Sequence, residues 1–410
     1  MKKWLIALYI IVSASYVQAQ NKDVDNAITT NSYTLQIDKN GDLTGTGAAF
    51  IMKKAASSQF IMIGENHNTK EIPELTTSLF KALNKQYNYT HLALEQDAPM
   101  MRKVSQPPYK ANKDSIFSLA AQYPYGFTFV SDQELAMIAD ITRYLTIGNA
   151  IWGLDQSFGA IHVVDEIMRK NPKAIIADTI LNKIRSLETK RDLDKYTHYM
   201  SHGINKNHLA QLSKFKTGDP SNPIDFGINS LIMSDSIYTF MNTHRAFEGC
   251  ELREHYMKTR FIEEYYKSVS TGEQIPKVLI KMGTSHIMAG FEPNTGVLNI
   301  GSFIREGAIA NESSSYSINA SIYRTDNSDW DYNKYEHNEV YKLFTRHASV
   351  NNWTLIDLHA LKSLYYNGKM KGIISKEDTH FFEENILAFD AILLIGNGND
   401  ATFTTCKCTY

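Results

Sequence analysis

Short, almost wholly apolar runs alternate along this chain with longer stretches whose apolar residues recur every three to four positions. Gln59-Phe60-Ile61-Met62-Ile63, Thr90-His91-Leu92-Ala93-Leu94, Ala150-Ile151-Trp152-Gly153-Leu154 and Lys277-Val278-Leu279-Ile280-Lys281-Met282 have the length and two-sided hydrophobicity of strands inside a parallel sheet. Ser317 to Tyr323, Thr354 to Leu358 and Phe389 to Ile395 are further strand candidates. Between the first two runs, Pro73 to Asn88 sets Leu75, Leu79, Ala82 and Leu83 on one helical face. Strand, helix and strand with a long crossover predict a parallel βαβ pair. Ala48 to Ser57 reads as another helix, and Ser131-Asp132-Gln133-Glu134 as a capping-box start for one reaching about Leu145. About 120 residues separate the third and fourth runs, too many for a simple crossover. They hold helix candidates at Ile180 to Leu187, His208 to Phe215, Ser230 to Met241 and Glu251 to Ser268.

The pattern therefore predicts an α/β fold: a central, mostly parallel sheet flanked by helices, with a helical insertion or cap. Its division along the chain is a first core half over 47–160, a mainly helical insertion over 161–275, a second core half over 276–400 and a tail over 401–410. Residues 20–46 are polar and turn-rich and read as a leader to the fold. Ahead of them, Lys2 and Lys3, the apolar run Trp4 to Val12, and Val17-Gln18-Ala19 have the layout of a signal peptide cleaved after Ala19. The run is too short to span a bilayer, and no later segment is apolar enough. The expectation is an exported protein, periplasmic or secreted, with no membrane span in its mature chain.

Composition narrows the chemistry. With 42 Lys+Arg against 44 Asp+Glu among 410 residues, the net charge of −2 provides no field that would select nucleic acid. Three cysteines, Cys250, Cys406 and Cys408, are too few for a disulfide framework and leave no closed zinc site. A small-molecule substrate is the expected partner.

Four of the buried runs deliver a titratable group at their carboxyl ends, the edge where open α/β sheets bind ligands. Gly64-Glu65-Asn66-His67 follows the first, Glu95 the second, Asp155 the third, and Gly283-Thr284-Ser285-His286 the fourth. Singly, each has a bland reading: Glu65 or Asp155 as a helix cap, Glu95 as a partner of Arg102 or Lys103, the histidines as satisfied structural groups. Convergence at one edge favours chemistry. Imidazole beside carboxylate can deprotonate water near neutral pH. The sequence contains no Gly-x-Ser-x-Gly elbow, P-loop, Gly-x-Gly-x-x-Gly or His-Glu-x-x-His, so water rather than a side chain is the expected nucleophile. The same set, Glu65, His67, Glu95 and His286, could instead hold a divalent metal; no other cofactor is expected.

Gly-Glu-x-His after an apolar strand, Ala-Leu-Glu about thirty residues on, and a late Met-Gly-x-x-His resemble the erythromycin-esterase-like superfamily. That group also includes haem-uptake lipoproteins and Tiki-type metalloproteases. Arg253-Glu254-His255-Tyr256-Met257 is similar to the esterase branch's helix motif, and Phe389 to Ile395 to its C-terminal strand. The resemblance spans about residues 47–396. It implies an ester-cleaving hydrolase with His67 as water-activating base, Glu65 and Glu95 as its carboxylates, Arg253 facing the pocket, and His286 and Arg253 stabilising the oxyanion or protonating the leaving group. Metal-dependent hydrolysis of the Tiki type, or ligand binding of the haem-uptake type, are the alternatives it carries. The Glu65–His67 spacing is one residue shorter than in the esterases. Arg260 stands where they have asparagine. Arg253, Met257 and Arg260 share one helix face, so Arg260 and Asp155 are expected at the substrate.

Overall fold

The computed structural model describes residues 21–145, 150–173, 175–189, 204–272, 274–292, 296–323 and 338–405. Among these, nine strands follow in chain order: β1 (Ser32–Ile37), β2 (Leu43–Thr44), β3 (Ser58–Glu65), β4 (His91–Asp97), β5 (Ile151–Asp155), β6 (Val278–Gly283), β7 (Ser314–Tyr323), β8 (Trp353–Asp357) and β9 (Ala391–Gly396). They form one sheet of order β2-β1-β8-β9-β7-β3-β6-β4-β5. From β9 to β5 every pairing is parallel, and β8, β1 and β2 add an antiparallel edge.

Alternation along each strand divides the core into two layers. Ile61, Ile63, Leu92, Leu94 and Leu279 point to one face, and Phe60, Met62, Ala93, Val278, Ile280 and Met282 to the other. Helices Glu71–Tyr87 and Asp132–Thr142 cover the first face through Leu75, Leu79, Leu135 and Ile138. Helices Ala246–Ser270 and Ile300–Ala310 cover the second through Met257, Phe261, Ile300 and Ile304. A sheet covered on both faces needs apolar residues at successive positions, which is why these strands read as unbroken runs.

β3 lies where the strand order diverges. The chain leaves β3 for β4 on one side, β6 returns between those two, and β7 crosses to β3's other flank. Loops at the carboxyl ends of β3, β6 and β4 consequently open a crevice. The described residues between β5 and β6 are chiefly helical. Val163 and Ile167 enter the first layer and Met257 and Phe261 the second, so this insertion flanks both faces of the sheet.

The stretch read as a leader is part of the fold. Residues 21–30 form a helix whose Val24 and Ile28 are buried, and β1 pairs with β8 while placing Leu35 in the core. Its Ser-Tyr-Thr-Leu-Gln-Ile sequence alternates as a strand with one solvent-facing side does, and so reads as polar. Residues 1–19, read above as a signal peptide, and Cys406 and Cys408 lie outside the described residues; Cys250 is a half-buried free thiol. No described helix is long and apolar enough to cross a membrane. Leu35→Ala is expected to cost about 2–5 kcal/mol in urea unfolding. A loss under about 0.5 kcal/mol, typical of surface positions, would return 32–37 to the role of leader.

Candidate functional site

β3, β6, β4 and β5 are neighbours in the sheet, so their carboxyl ends bring Glu65, His67, His286, Glu95 and Asp155 to one edge. Arg253 reaches them from the helix Ala246–Ser270. The predicted convergence holds. Its internal order is two ion networks, one on each face of the sheet.

On the first face, Glu65 shares the side of Ile61 and Ile63, and Lys281 that of Leu279. Lys281, 2% exposed, donates to Glu65 Oε1 at 2.6 Å and to Glu134 Oε1 at 3.0 Å. Burial alone would push the Glu65 carboxyl up, but the Lys281 ammonium and the His67 ring outweigh it and hold it below its ordinary value. Glu134 goes the other way: burial raises it, Lys281 opposes, and the Glu65 charge adds to the rise. Burial would lower Lys281, yet the two carboxylates keep it raised and charged. One ammonium thus serves mainly one carboxylate, Glu65.

On the second face, Arg253 is forked onto Asp155, with Nε 3.0 Å from Oδ1 and Nη2 2.8 Å from Oδ2. Nη2 also donates to Glu95 Oε1 at 2.8 Å, and Nε to Gln156 Oε1 at 3.0 Å. Glu95 Oε2 accepts the Gly283 N–H at 2.7 Å. His286 Nε2 stands 3.3 Å from Glu95 Oε1, while its Nδ1 makes a short contact with Glu254 Oε1. Glu254 Oε2 in turn accepts the Ile300 N–H at 2.7 Å. Burial disfavours the imidazolium of His286, but Glu95 and Glu254 outweigh it and push its pKa to about 10. With Nδ1–H directed at Glu254, Nε2–H goes to Glu95. The adjacent Arg253 Nη1, 3.2 Å away, is tolerated because Glu95, Asp155 and Glu254 outnumber the two cations. Burial would raise Glu95, yet His286, His67 and Arg253 hold it well below its ordinary value.

His67 joins the networks. Its Nδ1 is 3.1 Å from Glu65 Oε1 and its Nε2 3.7 Å from Glu95 Oε2. The ring stacks on Phe129 at 4.1 Å. Gln96 holds the Phe129 loop, accepting from Thr128 N at 2.9 Å and donating to Phe129 O at 3.0 Å. Gly283 makes room: a Cβ there would lie 2.8 Å from His67 Nε2. Burial lowers the His67 pKa, but Glu95 and Glu65 together raise it above 6.5. One third of its side chain is exposed, on a cleft of about 590 Å³ that Glu65, Thr284, Ser285, Asp400 and Phe403 also line.

Several expectations need correction. Asp155 is 1% exposed with both oxygens on Arg253; it anchors the arginine and is too buried to meet substrate. Arg260 does share a helix face with Arg253, but seven residues carry it about 10 Å along the axis. It pairs with Glu263 and lines a different cavity. Arg253 and His286 stand at Glu95, and the cleft wall does not include them. The tail reaches the site as well: Ala401 N donates to Asn68 O at 2.8 Å, and Thr404 and Thr405 cap Asp132. Glu65, His67, Glu95 and His286 do not fit a metal ion. Lys281 holds Oε1 of Glu65, Arg253 holds Oε1 of Glu95, the Gly283 N–H holds Oε2 of Glu95, and both His286 nitrogens face carboxylates. Among the described residues no group of three or more His, Cys, Asp and Glu is disposed to hold one. Glu134, Lys281 and Glu254 are the site residues that sequence reasoning missed. A lysine inside an otherwise apolar strand was the available signal.

Because folding raises the His286 pKa from 6.5 to about 10, its contribution to stability is complete below pH 6.5 and is lost as pH rises toward 10. Over that window the unfolding free energy should fall by up to about 1.4 kcal/mol per pH unit from this group. Glu254→Gln should flatten the fall. Equal slopes for wild type and variant in denaturant titrations at pH 7 to 10 would contradict the charged His286.

Neither family models nor curated proteins match the sequence. Solved structures do match along most of it. A succinoglycan biosynthesis protein is 14% identical, covering 93% of this chain and 98% of its own at a TM-score of 0.56. An erythromycin esterase mutant in its open conformation is 11% identical over 91% of this chain and 98% of its own, with a TM-score of 0.53. A Bacillus cereus protein is 12% identical over 94% and 98%, with a TM-score of 0.51. At such identities the likeness bears on architecture alone. The chain shares the overall fold of these proteins, the erythromycin esterase among them.

Proposed function

We propose that the protein is an exported hydrolase, directed out of the cytosol by residues 1–19, that cleaves ester-like bonds of a small molecule with water activated by His67. The observation that carries this reading is the setting of His67: open to the cleft on one side, with each ring nitrogen facing a buried, ionised carboxylate. The erythromycin esterase that shares the fold supports an ester as the bond cleaved.

The step follows from the geometry. Glu65 accepts Nδ1–H and fixes the ring, which leaves Nε2, at a looser 3.7 Å from Glu95, as the basic nitrogen. A water in the cleft attacks the carbonyl carbon as its proton passes to Nε2. The resulting imidazolium lies between two carboxylates, which stabilise it. The tetrahedral intermediate then expels the alkoxide, the carbon–oxygen bond breaks, and the Nε2 proton goes to the leaving oxygen. Acid and alcohol are released and His67 is neutral again. Arg253 and the His286 imidazolium hold Glu95 in place and ionised.

His67→Ala should lower kcat/KM on aryl and lactone esters by about 10²- to 10⁴-fold with an unchanged melting temperature. Turnover within twofold of wild type would end the assignment. A protonated His67 cannot act as base, so activity should rise with pH along a limb centred above 6.5. Glu65→Gln removes a charge that favours the imidazolium and should move that limb to lower pH. A limb that stays put, or moves up, would show that Glu65 does not govern His67.

A further inference from the structure

Arg260 leads to a second cavity, of about 600 Å³, between the helices Pro223–Asn242 and Ala246–Ser270. It shares no lining residue with the His67 cleft. Phe226 and Tyr256, each 6% exposed, form an aromatic wall, and Met233 continues it. Two guanidiniums lie over that wall. The Arg102 guanidinium is 3.3 Å from the Phe226 ring centre, and that of Arg260 is 5.1 Å from Phe226 and 5.4 Å from Tyr256. Lys267 also lines the space.

The charges here do not cancel. Arg102 and Lys267 both pair with Glu264, at 2.8 and 3.6 Å, so that one carboxylate serves two cations. Arg260 pairs through Nη2 with Glu263, whose side chain is 46% exposed. An i,i+3 pair with so exposed a partner contributes little and exchanges readily. Stacking on an aromatic face leaves the edge of a guanidinium free to donate to a second, bidentate carboxylate. A volume near 600 Å³ falls in the range of small-molecule sites, which combine an apolar lining with a few placed polar groups.

We propose that this cavity binds an amphiphilic organic anion, its apolar body on Phe226, Tyr256 and Met233 and its carboxylate on Arg260. The carboxylate takes the place of the exposed Glu263 on Arg260. The site is separate from the hydrolytic cleft and holds whether or not His67 is a catalytic base.

The test is calorimetric titration of the full chain with octanoate and with 1-octanol, which share the apolar body and differ in charge. Wild type should bind octanoate saturably at one site. Arg260→Gln should weaken octanoate about tenfold, as loss of a charge-assisted hydrogen bond does, and leave 1-octanol within about twofold. Met233→Trp, which fills the cavity, should remove binding of both while the far-ultraviolet dichroism stays that of wild type; should that variant misfold, the Arg260→Gln contrast decides alone. No saturable octanoate binding below about 10 mM, equal effects of Arg260→Gln on both ligands, or octanoate binding retained by folded Met233→Trp would overturn the proposal.

Discussion

One imidazole, His67, is held between two buried carboxylates that belong to opposite faces of the sheet, and the proposed chemistry turns on it. Each carboxylate would be costly to bury as an anion by itself, since an uncompensated buried charge loses several kcal/mol of hydration. Each is kept ionised by cations of its own layer, Lys281 for Glu65 and Arg253 with His286 for Glu95. His67 spans the gap at the rim, so the proton affinity of its ring reflects both layers at once.

The fold supplies this arrangement through strand order and parity. β6 lies between β3 and β4, which puts Lys281 beside Glu65 and the Gly283 N–H beneath Glu95. Adjacent parallel strands in register bring residues of like parity together on one face. Glu65 and Lys281 fall on one side and Glu95 on the other without any special backbone. Gly283 is the exception, because a side chain there would occupy the space of the His67 ring. The helix Ala246–Ser270 then lays Arg253 and Glu254, consecutive in sequence, against Glu95 and His286 respectively.

How much of this was legible in the sequence follows from what each residue's neighbours reveal. Doubly covered strands announce themselves as apolar runs, so β3 to β6 and the groups at their ends could be read directly. β1 could not, because an antiparallel strand with one face open to solvent alternates and its polar half resembles a linker. Glu134 stands at a position where a capping-box glutamate is expected, and that explanation hides its contact with Lys281. Glu254 is overshadowed by Arg253 beside it. Arg260 shows the limit of periodicity: spacing reports the face of a helix correctly but not the distance along it, and this arginine belongs to another cavity.

The most direct measurement is an NMR titration of the His67 ring, in wild type and in Glu95→Gln. The wild-type midpoint should lie above 6.5 and that of the variant lower, although Glu95 belongs to the face of the sheet opposite Glu65. A wild-type midpoint at or below 6.5, or one that Glu95→Gln leaves unmoved, would contradict a histidine shared between the two networks.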